Sequence, residues 1–420
     1  MNITLQRPKT LRCTPLLPAS KSISNRALIV SALSASDVAD AALLLQNISD
    51  CDDTKVICRA LQQPSETIDI MAAGTAMRFL TAYYSITSGT RTLTGTERMR
   101  HRPISVLVEA LRNLGADIRY TDEEGFPPLQ ISGSNLKGGK LELSGSISSQ
   151  YISALLMIGP KLNGGLQLQL DGEIVSRPYI DMTLQIMRHF GAEAQWNGER
   201  TIVVHQGKYQ QRHYLIESDW SAASYWYEMV ALADDSEAEV ILPGLFKESL
   251  QGDCAIKDIF KELGVQTEHF CDRNHVPCVR LTKNGHIANH IEIHLVNQPD
   301  LAQTLVVTCA MLGVPFRFTG LQSLKIKETD RIVALRTELR KLGYNISEEN
   351  EDTLFWNGER CKKDAVPAID TYDDHRMALA LAPACLKHDT IHIREAQVIN
   401  KSYPNYWLHL QNAAFPVHNS

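Results

Sequence analysis

No stretch of the chain approaches the roughly 18 consecutive apolar side chains that a membrane span needs, so no membrane partner is expected. An excess of basic charge is missing as well: 42 Lys and Arg stand against 48 Asp and Glu, a formal net charge of −6. That balance argues against a whole-surface field for nucleic acid and leaves room only for a local basic pocket. The opening residues, MNITLQRPKT, hold no apolar core, and no secretory leader is expected from them. Cysteine is sparse and odd in number, with nine thiols scattered from Cys13 to Cys385. Such a scatter fits reduced thiols in a cytoplasmic protein better than a disulfide framework. Disordered and fibrous classes are excluded by 44% hydrophobic and 21% charged residues, close to the globular average. With 420 residues and about 150 per domain, two or three domains are expected.

What is present is organised by internal repetition. Four segments share an apolar helix that closes on glycine and is followed by a short strand. The glycines are Gly115, Gly191, Gly264 and Gly343, at intervals of 76, 73 and 79 residues. Each suits the left-handed position that ends a helix. A second short strand follows each of them, at 129–132, 201–204, 279–281 and 353–356, and less regular copies surround 54–61 and 377–393. The unit recurs about every 75 residues, too long a period for a solenoid. Strands mixed with helices of about 10–15 residues argue for an α/β or α+β fold. Polar segments at 206–212 and 234–239 place a domain crossover near 216–219. Gly138-Gly139 and Gly164-Gly165 read as turns. His269, Cys271, His275 and Cys278 read as a polar hairpin rather than a metal site. Trp220, Tyr225, Trp226 and Tyr227 read as core.

Polar clusters keep falling at the starts of these apolar helices. Lys21, Ser22 and Arg26 precede or open a helix over 27–33, with Ser20 or Ser22 as its cap. No G-x-x-x-x-G-K-[ST] loop stands ahead of it. Gly74 to Arg78 opens the next helix, and Arg98, Arg100, His101 and Arg102 lead into 104–114 with Pro103 placed as its first residue. Ser148, Ser149 and Gln150 precede 151–158; Ser176, Arg177 and Tyr179 lead into 180–190; Asp300 precedes 301–311. Lys327, Glu328, Asp330 and Arg331 precede 332–342, where Ile332, Leu335, Leu339 and Leu342 mark one buried stripe, and Asp374, His375 and Arg376 precede 377–384. Cations at a helix start oppose the macrodipole, by about 0.3–1 kcal/mol each when exposed, so stability alone would favour acids there. Any one cluster reads equally well as a cap beside solvated charge. Eight of them concentrate positive potential where backbone amides are free, which suits the oxygens of small, multiply anionic ligands. Asp300, Glu328, Asp374 and His375 are the candidate acids and bases, with helix capping the alternative role for Glu328 and Asp330.

Several of these clusters form specific motifs: K-S-x-S-N-R (21–26), A-G-T-A-M-R (73–78), R-M-x-x-R-P (98–103), S-x-S-S-Q (146–150), K-E-T-D-R (327–331), D-H-R-M-A (374–378) and K-S-Y-P (401–404). In order and spacing they resemble the enolpyruvyl transferase family, and within it the 5-enolpyruvylshikimate-3-phosphate synthase branch, over nearly the whole chain. The resemblance implies an inside-out α/β barrel in two domains of three βαβαββ units each. One domain would comprise 1–19 and 217–420, the other 20–216, with the active site in the cleft between them. It implies transfer of the enolpyruvyl group of phosphoenolpyruvate to the 5-hydroxyl of shikimate 3-phosphate, with phosphate released. It further implies a monomer that uses neither metal nor cofactor. Carried over by position, shikimate 3-phosphate would meet Lys21, Ser22, Arg26, Ser148, Ser149, Gln150, Ser176, Tyr179, Asp300, Ser323 and Lys327. Phosphoenolpyruvate would meet Lys21, Gly74, Arg102, Gln150, Arg331, Arg376 and Lys401. Asp300 would act as base toward the hydroxyl, Glu328 would exchange the proton at C3, and Lys21 could assist either transfer. The chain departs from the family's pattern at Ala72 and Ser323, where asparagine is usual, and at Phe79, where proline is usual. A sister enzyme acting on UDP-N-acetylglucosamine needs a loop cysteine where Glu97 stands here. A binding protein descended from the enzyme is the other alternative.

Overall fold

The computed structural model describes residues 1–35, 42–63 and 65–419. The chain divides into two units, Met1–Pro18 with Glu217–Ser420 and Ala19–Ile216. Among the described residues there are six sheets, three in each unit.

Four of the sheets are built alike. Strand Ile291–His294 runs parallel to Phe316–Thr319, which pairs antiparallel with Thr353–Trp356, and that strand pairs antiparallel with Ser347–Glu349. Helix Ala302–Leu312 makes the parallel crossover and helix Arg331–Lys341 the next connection. This βαβαββ order recurs with Thr67–Asp69 and Thr90–Thr94 as the parallel pair, again with Lys137–Ser144 and Asn163–Asp171, and again with Arg12–Cys13 and Glu239–Pro243. In a fifth sheet the chain's first strand, Ile3–Gln6, fills the place between Thr390–Ile393 and Val417–Asn419. The sixth shows only Leu45–Gln46 beside Tyr214–Leu215 among the described residues.

The four helix-closing glycines have φ of 97°, 87°, 94° and 94°. A side chain would be strained there, which is why the repeat is readable. One boundary differs from expectation: Gly264 lies inside strand Leu263–Cys271, where the register shifts between Leu263 and Val265. The glycine forms a bulge rather than a gap between helix and strand.

Helices form the centre of each unit. Every residue of Gly74–Ser85 and His375–Leu381 is buried, as are all but one residue of Ser149–Ile158, Trp220–Leu232 and Ala302–Leu312. Sequences such as AQTLVVTCAML are apolar or small on every face, so they suit an interior position instead of a two-faced surface one. The aromatic run Trp220, Tyr225, Trp226 and Tyr227 is buried core, as read. The stripe Ile332, Leu335, Leu339 and Leu342 is buried too. His269 to Cys278 is a hairpin, with Cys271 opposite Pro277.

Two expectations need correction. Helix Ser105–Asn113 starts two residues after Pro103, because the Ile104 amide donates to the Gly125 carbonyl at 2.9 Å and stays outside the helix. The glycine pairs at 138–139 and 164–165 are not turns but lie in the adjacent parallel strands Lys137–Ser144 and Asn163–Asp171. A Cβ on Gly138 would fall 1.8 Å from the Gly165 carbonyl oxygen, so glycine lets the two backbones approach. Gly138→Ala is therefore expected to destabilise the protein by about 1–3 kcal/mol, read as a lowered urea midpoint. An unchanged midpoint would contradict that close approach.

Candidate active site

The buried helices explain where the polar motifs go. An apolar helix at the centre of a unit leaves only its ends for polar groups, and the first-turn amides need acceptors. Ser20 accepts from the Ile23 amide, Ser148 from Gln150, Asp330 from Ile332 and Val333, and Asp374 from Arg376. Asp330 is thus a helix cap, whereas Glu328 is not. Ser176 precedes helix Arg177–His189 at φ 57°, a strained conformation for serine that needs support from its surroundings.

In the unit formed by 1–18 and 217–420, seven of the sequence-derived residues meet. Asp300 places one carboxylate oxygen 2.9 Å from Arg376 Nη2. Its other oxygen lies 3.3 Å from Arg331 Nη1 and 3.8 Å from Lys327 Nζ. Glu328 pairs with Arg331 Nη2 at 2.9 Å and with Lys401 Nζ at 2.8 Å. Arg331, fully buried, donates from Nε to Asp374 Oδ2 at 2.7 Å and from Nη2 to Oδ1 at 3.2 Å. Burial alone would lower this guanidinium, but Asp374, Glu328 and Asp300 more than offset it and raise it. Lys327 moves the other way, lowered by desolvation against the pull of Asp300. Four cations around Asp300, Glu328 and Asp374 leave one positive charge in excess. Ser323 lies in the 3-10 turn Gln322–Ile326, and its buried hydroxyl makes no hydrogen bond among the described residues.

The unit 19–216 gathers the rest into linked groups. Arg26 is buried and donates to Thr183 Oγ1 at 2.7 Å, Ser153 Oγ at 3.2 Å and the Ser22 carbonyl at 2.9 Å. Its guanidinium lies 5.3 Å from the Phe79 ring centroid and 5.8 Å from that of Tyr179, and burial lowers it to about 10. Lys21 faces Asp53 at 3.7 Å. Gln150 donates to Thr75 Oγ1 at 3.3 Å, beside Gly74. A Cβ at Gly74 would stand 2.7 Å from Arg102 Nη1, so this glycine makes room for that guanidinium. Arg98, Arg100 and His101 are exposed, leaving Arg102 as the member of the basic run that reaches this group. Ser149 is buried at the start of helix Ser149–Ile158.

Some contributors were not singled out in the sequence. Asp53, Ser153 and Thr183 sit inside helical patterns, and their partners lie 32, 127 and 157 residues away. Tyr225, read only as core, also lies 3.4 Å from Arg376 Nη1. Asp253 is buried in the turn Gly252–Ala255, where one carboxylate oxygen accepts from the Ser221 hydroxyl and the other has no hydrogen-bond partner among the described residues. Burial first, then the Asp300 charge, pushes this carboxyl from 3.8 up to about 7, with Arg376 pulling back. Over that interval the folded protein keeps a proton that the unfolded chain releases, so this site's contribution to stability falls as pH rises. Asp253→Asn should therefore gain on the parent protein between pH 4 and 7 and run parallel above it. Urea midpoints at pH 5 and pH 8 check this, and an equal offset at both would contradict the assignment.

Paired guanidinium, ammonium and carboxylate groups at the starts of buried helices define a class of site, one for small anionic ligands that undergo proton transfer. The profile of the EPSP synthase (3-phosphoshikimate 1-carboxyvinyltransferase) family matches residues 61–410. A 3-phosphoshikimate 1-carboxyvinyltransferase of Bacteroides fragilis (strain YCH46) is 55% identical over 417 residues, covering 99% of each chain. One from Sulfurovum sp. (strain NBC37-1) is 36% identical, covering 97% of each. The solved EPSP synthase of Acinetobacter baumannii superposes over 100% of both chains with a TM-score of 0.78 at 20% identity, a likeness of fold. The chain belongs to the EPSP synthase family.

Proposed function

We propose that this protein transfers the enolpyruvyl group of phosphoenolpyruvate to the 5-hydroxyl of shikimate 3-phosphate and releases phosphate. The observation that carries the reading is the cluster of Asp300, Glu328, Lys327, Arg331, Arg376 and Lys401, which sets two carboxylates among four cations. Arg331, Arg376 and Lys401, with Arg102 and Lys21 from the other unit, would neutralise the phosphate and carboxylate of phosphoenolpyruvate. Ser22, Arg26, Ser148, Ser149, Gln150, Ser176, Tyr179, Ser323 and Lys327 would hold shikimate 3-phosphate. Residues of both units thus serve one reaction.

Asp300, paired with Arg376 and Arg331, accepts the proton of the 5-hydroxyl as its oxygen bonds to C2 of the enolpyruvyl group. Glu328 delivers a proton to C3. A ligand anion that takes over Lys401 and Arg331 leaves Glu328 able to hold that proton. The resulting tetrahedral intermediate loses phosphate, which carries away the proton taken from the hydroxyl, as a C3 proton returns to Glu328 and restores the double bond. Fixed cations stabilise the charge that builds on the departing phosphate.

Phosphate release from purified protein tests the reading, with phosphoenolpyruvate and either shikimate 3-phosphate or UDP-N-acetylglucosamine as acceptor. Release is expected with shikimate 3-phosphate alone. Release only with the nucleotide sugar, or none despite measurable binding, would contradict it.

A further inference from the structure

We infer that Glu338 and Tyr372 are positioning residues that brace the bend carrying Asp374 and Arg376 to phosphoenolpyruvate; this rests on the function proposed above. Residues 370–374 join strand Ala368–Ile369 to helix His375–Leu381. Two consecutive residues in that bend, Tyr372 and Asp373, have φ of 55° and 54°. For a bulky tyrosine this conformation is an outlier, which persists only where neighbouring structure over-determines it.

Helix Arg331–Lys341 supplies that constraint along one face. Arg331 and Glu338 are seven residues apart, two turns or about 10 Å along the axis, and so point the same way. Arg331 grips the far end of the bend through Asp374 at 2.7 Å. Glu338, fully buried, grips its near end: Oε1 accepts from the Tyr372 hydroxyl at 2.6 Å and Oε2 from the Asp370 amide at 3.1 Å. Lys341, one turn on, donates to Glu338 at 2.8 Å, to Asp370 at 2.7 Å and to the Ala368 carbonyl at 3.0 Å. Arg394 holds the remaining Asp370 oxygen at 2.9 Å. Both ends of a strained segment are therefore fixed to one rigid helix, and the last residue of the bend, Asp374, caps the helix that carries Arg376. None of Glu338, Lys341 or Tyr372 belongs to the ion-pair cluster itself. Their effect would reach the ligand through where Arg376 and Asp374 stand.

Tyr372→Phe is the least invasive test, since it removes one hydroxyl and keeps the ring; Glu338→Gln, which keeps an acceptor oxygen, is the companion. Two measurements are needed. Amide hydrogen exchange of the peptide spanning 370–376 should be at least fivefold faster in Tyr372→Phe than in the parent protein. The KM for phosphoenolpyruvate should rise about 5–20-fold with kcat and the KM for shikimate 3-phosphate within twofold, and Glu338→Gln should fall between. Unchanged exchange overturns the brace whatever the activity. Faster exchange with an unmoved KM for phosphoenolpyruvate, or with kcat and both KM values shifted alike, overturns the positioning role. Faster exchange in a protein whose parent form releases no phosphate would instead show that the proposed reaction is wrong while the brace stands.

Discussion

The Asp300→Ala variant is expected to turn over about 10²–10⁴ times more slowly than the parent protein, the range typical of a lost general base. Phosphoenolpyruvate should bind it as well or better. Asp300 occupies Arg376 at 2.9 Å and Arg331 at 3.3 Å, so it competes with any incoming anion for those guanidinium groups. Removing it raises the excess positive charge of the cluster while taking away the proton acceptor. Initial rates of phosphate release and calorimetric titration with phosphoenolpyruvate separate the two effects. Near-normal turnover would remove Asp300 from the mechanism. Weakened binding would show that Asp300 orders the cations more than it competes for them.

The second large effect concerns folding. Arg331→Ala should cost about 3–5 kcal/mol, because it leaves Asp374, Glu328 and Asp300 without the buried guanidinium that joins them. Arg331→Lys should recover only part of that. An ammonium keeps the charge, but it lacks the planar fork that bonds Asp374 through Nε and Nη2 at once. Urea unfolding of both variants checks the order. A loss below about 1 kcal/mol for alanine would mean that the three carboxylates relax into water or take up protons cheaply.

How much of this could be read in the sequence follows from the range over which each feature is determined. The helix-closing glycines were legible because the left-handed backbone at Gly115, Gly191, Gly264 and Gly343 is a demand of the local chain. The motifs at the helix starts were legible because their residues are contiguous. Ser20, Ser148, Asp330 and Asp374 act on amides two or three residues away. Partnerships that only the fold creates were not legible. Nothing near Arg26 in sequence points to Ser153 or Thr183, and nothing near Asp300 points to Asp253. The glycines at 138 and 165 misled for the same reason, since the close approach that excludes a side chain comes from a neighbouring strand. Phe79 stands where the family usually has proline. Its place beneath the Arg26 guanidinium, fully buried, gives it a packing role that the sequence alone did not suggest. Tyr372 lies between two motifs and belongs to neither, so its bond to Glu338 is visible only in three dimensions.

The claim that both units serve one reaction has a direct test in amide hydrogen exchange of the parent protein with shikimate 3-phosphate and phosphoenolpyruvate added together. Protection is expected in the same titration at 21–26 and 148–151 in one unit and at 327–332 and 374–377 in the other, with matching ligand dependence. Protection confined to one unit at saturating concentrations of both ligands would contradict the account.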